Sequence, residues 1–218
     1  MGTLRQASKI LSLFEDTPDE QIQAVLASGF LADLRDGNIA EISRDSFRRM
    51  CGLKLLNPPL LERIGTVTIG ATERFLAREK FVVDTSRKAK VKIAWLGGNF
   101  KNQFLEKAEA PTPEMTLCYA RLVHAALDSE IRKEIGTGCE EATLAAIWTL
   151  MERQPNGKTG VLLTNGYANI FYVRDTNGTF WAVHVHWFAL GGGWRVSARS
   201  VSRPHGWGGG GRVFSQVA

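Results

Sequence analysis

Two histidines stand two positions apart in Val183-His184-Val185-His186-Trp187, and two arginines bracket a serine in Trp194-Arg195-Val196-Ser197-Ala198-Arg199. In an extended chain alternate side chains share a face. His184 and His186 then face one way, and Val183, Val185 and Trp187 the other. Arg195, Ser197 and Arg199 likewise oppose Trp194, Val196 and Ala198. Only a glycine turn, Gly191-Gly192-Gly193, and the residues flanking it separate the two stretches, so they are expected to pair and bring the five polar side chains onto one face. Phe188 lies beside the turn, and the following segment adds Arg203, His205, Gly208 and Gly211. Three chemistries draw on such residues. His184, His186 and His205 could offer three nitrogens to a zinc ion, but no carboxylate follows Asp175 to orient them or act as a base. Arginines interleaved with tryptophans could track phosphates and stack bases, although strict alternation turns the tryptophans toward a core. Arg, His and aromatics without Lys or Glu are also the composition of a macromolecular binding patch. Gly208–Gly211 leads into a strand, whereas a phosphate loop opens a helix. No Ser/His/Asp set can be assembled, and Asp84, Glu106 and Glu109 read as solvated charges.

The charge is placed unevenly. The net charge is +5, and from 151 onward there are seven basic residues against two acidic ones, which is the whole excess. No acid follows Asp175 and no lysine follows Lys158. A basic skew points to anionic partners or to a surface selected for binding. At 218 residues, with 44% hydrophobic and 22% charged residues, the chain has the composition of one or two globular domains. No apolar run reaches the length of a membrane span, and the N-terminus lacks the layout of a secretory signal, so a cytoplasmic location is expected. Cys51, Cys118 and Cys139 suit neither a disulfide framework nor a metal site and read as buried free thiols.

Elements must position these residues. Residues 1–80 read as a helical segment, with Thr17-Pro18-Asp19-Glu20 as a capping box, Gly29 as a C-cap, and a helix from Ser43 to Cys51 burying Phe47 and Met50. Asn57-Pro58-Pro59 breaks the chain, and Arg63–Lys80 fits helix or strand. From 81 onward the pattern is α+β. Phe81-Val82-Val83 is a strand candidate, and Val91, Ile93 and Trp95 alternate as the inward side of another. A short helix follows near 99–107, Leu117–Leu122 fits strand or helix, and Glu141–Glu152 is an amphipathic helix burying Leu144, Ile147, Trp148 and Met151. Val161–Leu163, Ile170–Val173, Phe180–Trp187, Trp194–Val201 and Arg212–Phe214 read as strands, with Asp175-Thr176-Asn177-Gly178 as a hairpin turn.

The stretch GYANIFYVRD…WAVHVHW…GWRVSARSVSRPHGWGGGGRVFS resembles the C-terminal variable region of the target proteins of diversity-generating retroelements. In that family a reverse transcriptase copies a template RNA, misincorporates opposite adenines, and the copy replaces the end of the target gene. Template AAC or AAT codons can become Gly, Ser, Arg, His, Ala, Leu, Phe or Tyr, but not Lys, Glu, Gln, Met or Trp. Between Ala182 and Gly211 this chain has no Lys, Glu, Gln or Met, and its tryptophans and valines occupy the alternate, scaffold positions. The resemblance is strongest over 161–215, weaker over 85–160, and does not extend to 1–80.

The resemblance implies a C-type-lectin-like domain over 81–218, often of the formylglycine-generating-enzyme-like type, whose small antiparallel sheet displays a variable region of about 182–212. It implies a non-enzymatic ligand-binding protein without cofactor or metal. No paired-cysteine centre is present to carry over the activity of the enzyme relatives. The ligand surface would comprise His184, His186, Phe188, Arg195, Ser197, Arg199, Arg203, His205, Gly208 and Gly211. Its partner would be a macromolecule, a protein before a nucleic acid, with self-assembly left open. A basic nucleic-acid-binding protein and a histidine-metal enzyme are the alternatives.

Overall fold

The computed structural model describes residues 4–37, 43–203 and 206–217. The chain divides into two units at Pro58/Pro59, at the proline break itself and not at the expected boundary of 80.

The first unit holds four short helices, α1 (Leu4–Ser12), α2 (Asp19–Ala27), α3 (Phe30–Asp36) and α4 (Arg44–Met50). Pro18, not Thr17, is the N-cap of α2 and supplies no side-chain bond, so the expected capping box is not formed. Gly29 does take the left-handed conformation (φ 75°) that separates α2 from α3. The Ser43 hydroxyl accepts from Ser46 N–H at 3.4 Å as the cap of α4. Phe47 is half-buried and packs on Phe30, with ring centroids 5.3 Å apart, and Met50 is exposed rather than buried. Helices α2 to α4 contain no buried residue, because their apolar positions are too few to close a core among such short elements.

The second unit is a mixed α/β domain. Its elements are β1 (Leu61–Ile69), β2 (Phe75–Leu76), α5 (Ala77–Lys80), β3 (Ile93–Leu96), α6 (Gly98–Phe104), β4 (Ala108–Glu109), β5 (Met115–Leu122), β6 (Ala126–Leu127), α7 (Asp128–Ile135), α8 (Leu144–Arg153), β7 (Asn169–Arg174), β8 (Phe180–Phe188), β9 (Gly193–Ser200), β10 (Gly206–Trp207) and β11 (Arg212–Gln216). Seven strands form one sheet in the order β1-β5-β11-β7-β8-β9-β3. The β11–β7 and β3–β9 pairs are parallel and the rest antiparallel. This sheet is larger than the small antiparallel one expected. The terminal strand inserts between β5 and β7, and β1, most of which falls in the Arg63–Lys80 stretch that fits helix or strand by sequence, extends the sheet by pairing with β5.

Two layers cover the sheet. On one face α5, α6 and α8 pack Phe81, Phe100, Phe104, Ile147 and Met151 against Phe171, Val183, Val185, Trp194, Val196 and Phe214. On the other, α7 and the β6–β10 pair pack Ile131 and Trp207 against Ile170, Tyr172, Ala182 and Val213. Strand β7 is buried on both faces, which is why it reads as an unbroken apolar run, whereas β9 alternates from Trp194 to Ala198 and β8 is buried on both faces only over Ala182–Val185.

Several local expectations fail, in some cases because a side chain takes over a backbone's role. Val161–Leu163 is not a strand: Leu162 N–H donates to Gln154 Oε1 and Leu163 N–H to Asn169 Oδ1. Helix α8 begins at Leu144 and not at 141, since Glu141 bridges to Tyr172 and the Thr143 hydroxyl caps Ala146 N–H. Glu109, expected in solvent, is buried. Its carboxylate accepts from the N–H groups of Leu144 and Ala145, each at 2.9 Å, where the helix N-terminus favours negative charge. Phe81-Val82-Val83 is irregular, with Phe81 in the core and both valines exposed. Cys51 is exposed, and Cys118 and Cys139 are half-buried.

Trp194 is fully buried, and its ring meets Trp187 edge-to-face at 5.4 Å. Replacing it with Ala removes the largest side chain of the main core, and a loss of about 3–5 kcal/mol is expected, read as a lowered denaturant midpoint at constant slope.

Candidate functional site

The β8–β9 ladder sets the register of the candidate surface. His184 lies opposite Ser197, His186 opposite Arg195, Ala182 opposite Arg199, and Trp187 opposite Trp194. Trp194, Val196 and Ala198 are buried as expected, and His186, Phe188, Arg195, Ser197 and Arg199 are half-buried along the face with less cover. The Arg195 guanidinium lies 3.7 Å from the Phe188 ring centroid, so the outer face carries its own cation–π contact.

One member of this face escapes the alternation argument. Ile93 is fully buried, and Trp95 was expected to share its side, yet Trp95 is 47% exposed. The register of β3 against β9 shifts between Ile93 and Trp95, so that Trp95 stands beside Arg195 and Leu96 beside Val196. A bulge moves every later side chain to the other face. Gly97 completes the arrangement: a Cβ there would fall 2.6 Å from Ser197 Oγ and 3.0 Å from the Trp95 ring, so only glycine lets the two approach. A register shift in a short edge strand leaves no signal in composition.

His184 departs from the expectation in the other direction. It is only 7% exposed, because Trp207 folds over it with ring centroids 5.0 Å apart, edge to face. Trp207 is held by a buried carboxylate, Asp128 Oδ1, which accepts from the indole N–H at 2.7 Å and from the Tyr172 hydroxyl at 2.9 Å. Burial and then the Asp128 charge push the Tyr172 hydroxyl well above the ordinary phenol range, so it stays a donor. The Arg199 guanidinium lies over the indole, 4.7 Å from its centre. Gly211 is also interior: its carbonyl accepts from Leu122 N–H, and a Cβ would stand 3.2 Å from the Ala168 carbonyl. Gly208 and Arg203 are exposed, and His205 lies outside the described residues. His184 and Gly211 therefore leave the expected ligand surface, and Trp95 joins it.

The arginines of the last third differ in the acceptors they reach. Arg174 pairs with Glu141 and donates to the Gly178 carbonyl. Arg212 donates to the Val161 carbonyl beneath the 160–161 segment, and Arg153 to that of Thr68. Among the described residues, Arg195, Arg199 and Arg203 form no ion pair with any acid. Also among the described residues, no three His, Cys, Asp or Glu side chains lie close enough to share a metal ion, and no helix is long and apolar enough to cross a membrane. Asp175, the last acid, anchors the β7–β8 turn. Burial pushes its carboxyl up, but the N–H groups of Thr179, the Trp181 indole and Asn177, with the Lys107 charge, outweigh burial and hold it below the usual carboxylate range.

Compared with known proteins, the chain matches no family model, no curated protein and no solved structure.

Two outcomes follow from this geometry. Burial, and secondly the Arg195 charge, lower the pKa of His186 below its ordinary value of 6.5. The unfolded chain then binds the proton more readily, so the contribution of His186 to stability is complete above pH 6.5 and is lost as pH falls through the folded value. NMR titration should place its imidazole midpoint below 6.5, and Arg195→Gln should raise it. Trp207→Phe keeps the ring but leaves Asp128 short of one donor. A loss of about 1–3 kcal/mol is expected, with faster hydrogen exchange at 206–211 and unchanged exchange in β7.

Proposed function

We propose that this protein is a non-enzymatic ligand-binding protein whose second unit is a C-type-lectin-like display domain. In this reading the surface over about 182–212 is diversified by adenine-directed mutagenic retrohoming. The observation that carries the reading is the β8–β9 register, with positions 186, 195, 197 and 199 on one face and Val183, Val185, Trp194, Val196 and Ala198 in the core behind them. Such a division lets outward side chains change while the scaffold keeps its packing, since surface changes usually cost within about 0.5 kcal/mol each. Every outward residue named here on β8 and β9 is of a type that mutated AAC or AAT codons can encode. Trp95 and Trp207 flank the face as fixed aromatics outside that chemistry. The partner is a macromolecule, most naturally a protein, because half-buried Arg and His beside Trp95 and Phe188 compose an interface core poor in Lys and Glu. A nucleic-acid partner fits less well, since Trp194 and Trp207, the tryptophans interleaved with the arginines, are buried and do not form a row of stacking platforms along them.

The reading has two tests. The DNA beside this gene should hold a reverse-transcriptase gene and a near-copy of codons 182–215 that differs only at adenines; a neighbourhood lacking both would overturn it. The combined variant His186→Asn, Arg195→Ser, Ser197→Asn, Arg199→Tyr should unfold cooperatively within about 5 °C of the parent. A chain that no longer unfolds cooperatively would show that these positions are structural.

A further inference from the structure

Strand β3 pairs with β9 only as far as Val196, so the outer edge of β9 beyond that point has no strand against it. The Asn99 amide at the start of α6 takes up one edge group, donating to the Ala198 carbonyl at 3.1 Å. Beyond Asn99 lies an open cleft of about 490 Å³, lined by Asn99, Trp181, Arg199, Ser200, Ser202 and Arg203. That volume is in the range of small-molecule sites, roughly 300–1,000 Å³.

The lining has a definite chemistry. Arg203 N–H donates to the Ser200 carbonyl, which turns the chain back so that Arg203 lines the same cleft as Arg199. The Ser200 and Ser202 hydroxyls are 2.8 Å apart and add two polar groups. Among the described residues no carboxylate lines the cleft and neither arginine has an acidic partner. Asp175 is already engaged by Asn177, Thr179 and the Trp181 indole. Arg199 and Arg203 both line the cleft, and the forked donors of a guanidinium match a phosphate. Trp181 adds an aromatic ring to the lining. Its Nε1 donates to Asp175 Oδ2 at 2.9 Å, and its ring meets Phe104 edge-to-face at 6.5 Å. The anchored indole is part-exposed, as a ring-binding wall must be.

We propose that this cleft binds a small phosphorylated aromatic compound, with its phosphate on Arg199 and Arg203 and its ring against Trp181. Because Arg199 also belongs to the display face, this names the ligand chemistry of one end of that face and rests on the reading above. A nucleotide and a phenolic phosphate share this chemistry.

The test titrates phenyl phosphate, uridine monophosphate, inorganic phosphate and phenol into the full chain, followed by NMR of the indole and arginine N–H groups. Phenyl phosphate or uridine monophosphate should saturate, shift the Trp181 indole N–H, weaken at high salt, and bind about tenfold tighter than inorganic phosphate or phenol. Whichever of the two binds tighter identifies the source. Arg203→Gln lies at an exposed position and should melt like the parent while weakening binding about tenfold. Absence of saturation, or binding indifferent to both Arg203→Gln and Arg199→Gln, overturns the cleft as a site. If that happens while the four-position surface variant still folds, only the cleft fails and the display reading stands. If that variant fails to fold, the display reading falls, and the titration still decides the cleft.

Discussion

The hydrogen bond from the Trp207 indole to the buried Asp128 carboxylate decides how much of the second sheet face is covered. A carboxylate out of water must be satisfied by donors, and Asp128 takes two on one oxygen, from Trp207 and from Tyr172 of the central strand. The first donor pins the loop after β9, and the second pins α7 to β7. Together they close the sheet over β5, β11 and β7 and stop at His184. Everything toward β9 and β3 is left with one covered face, and there His186, Arg195, Ser197, Arg199 and Trp95 lie.

Charge divides the arginines of the last third by what they reach. Arg174 and Arg212 find carboxylate or carbonyl acceptors on other segments. Among the described residues, Arg195, Arg199 and Arg203 form no ion pair. The uncompensated charge is thus concentrated on β9 and the residues that follow it, and an acidic or phosphorylated partner would complete it.

Stability and recognition occupy opposite sides of the same strands. Trp194, Val196 and Ala198 contribute burial on the helical side, and their neighbours contribute chemistry on the other. The two-residue period of a strand makes this separation available without any extra element. The cost falls on the edges, where Gly97 and the Asn99 amide finish what β3 leaves unpaired.

The sequence by itself determined the features that depend on near neighbours. These are the β7–β8 and β8–β9 hairpins, the amphipathic helix read over 141–152 apart from its exact start, the alternation that buries Trp194, and the arginine excess. Each is written in turn chemistry or periodicity over a few residues. Tertiary structure alone decided the rest. Residues 61–69 became a strand because β5, distant in the chain, offered them a partner. Glu109 became a buried helix cap because α8 begins against it. Trp95 turned outward because its strand slipped by one residue against β9, and His184 turned from surface to interior because Trp207 came to lie on it. Alternation assigns a side chain to a face of the sheet. Whether that face meets water is settled by which distant segment packs there, and no local pattern encodes that.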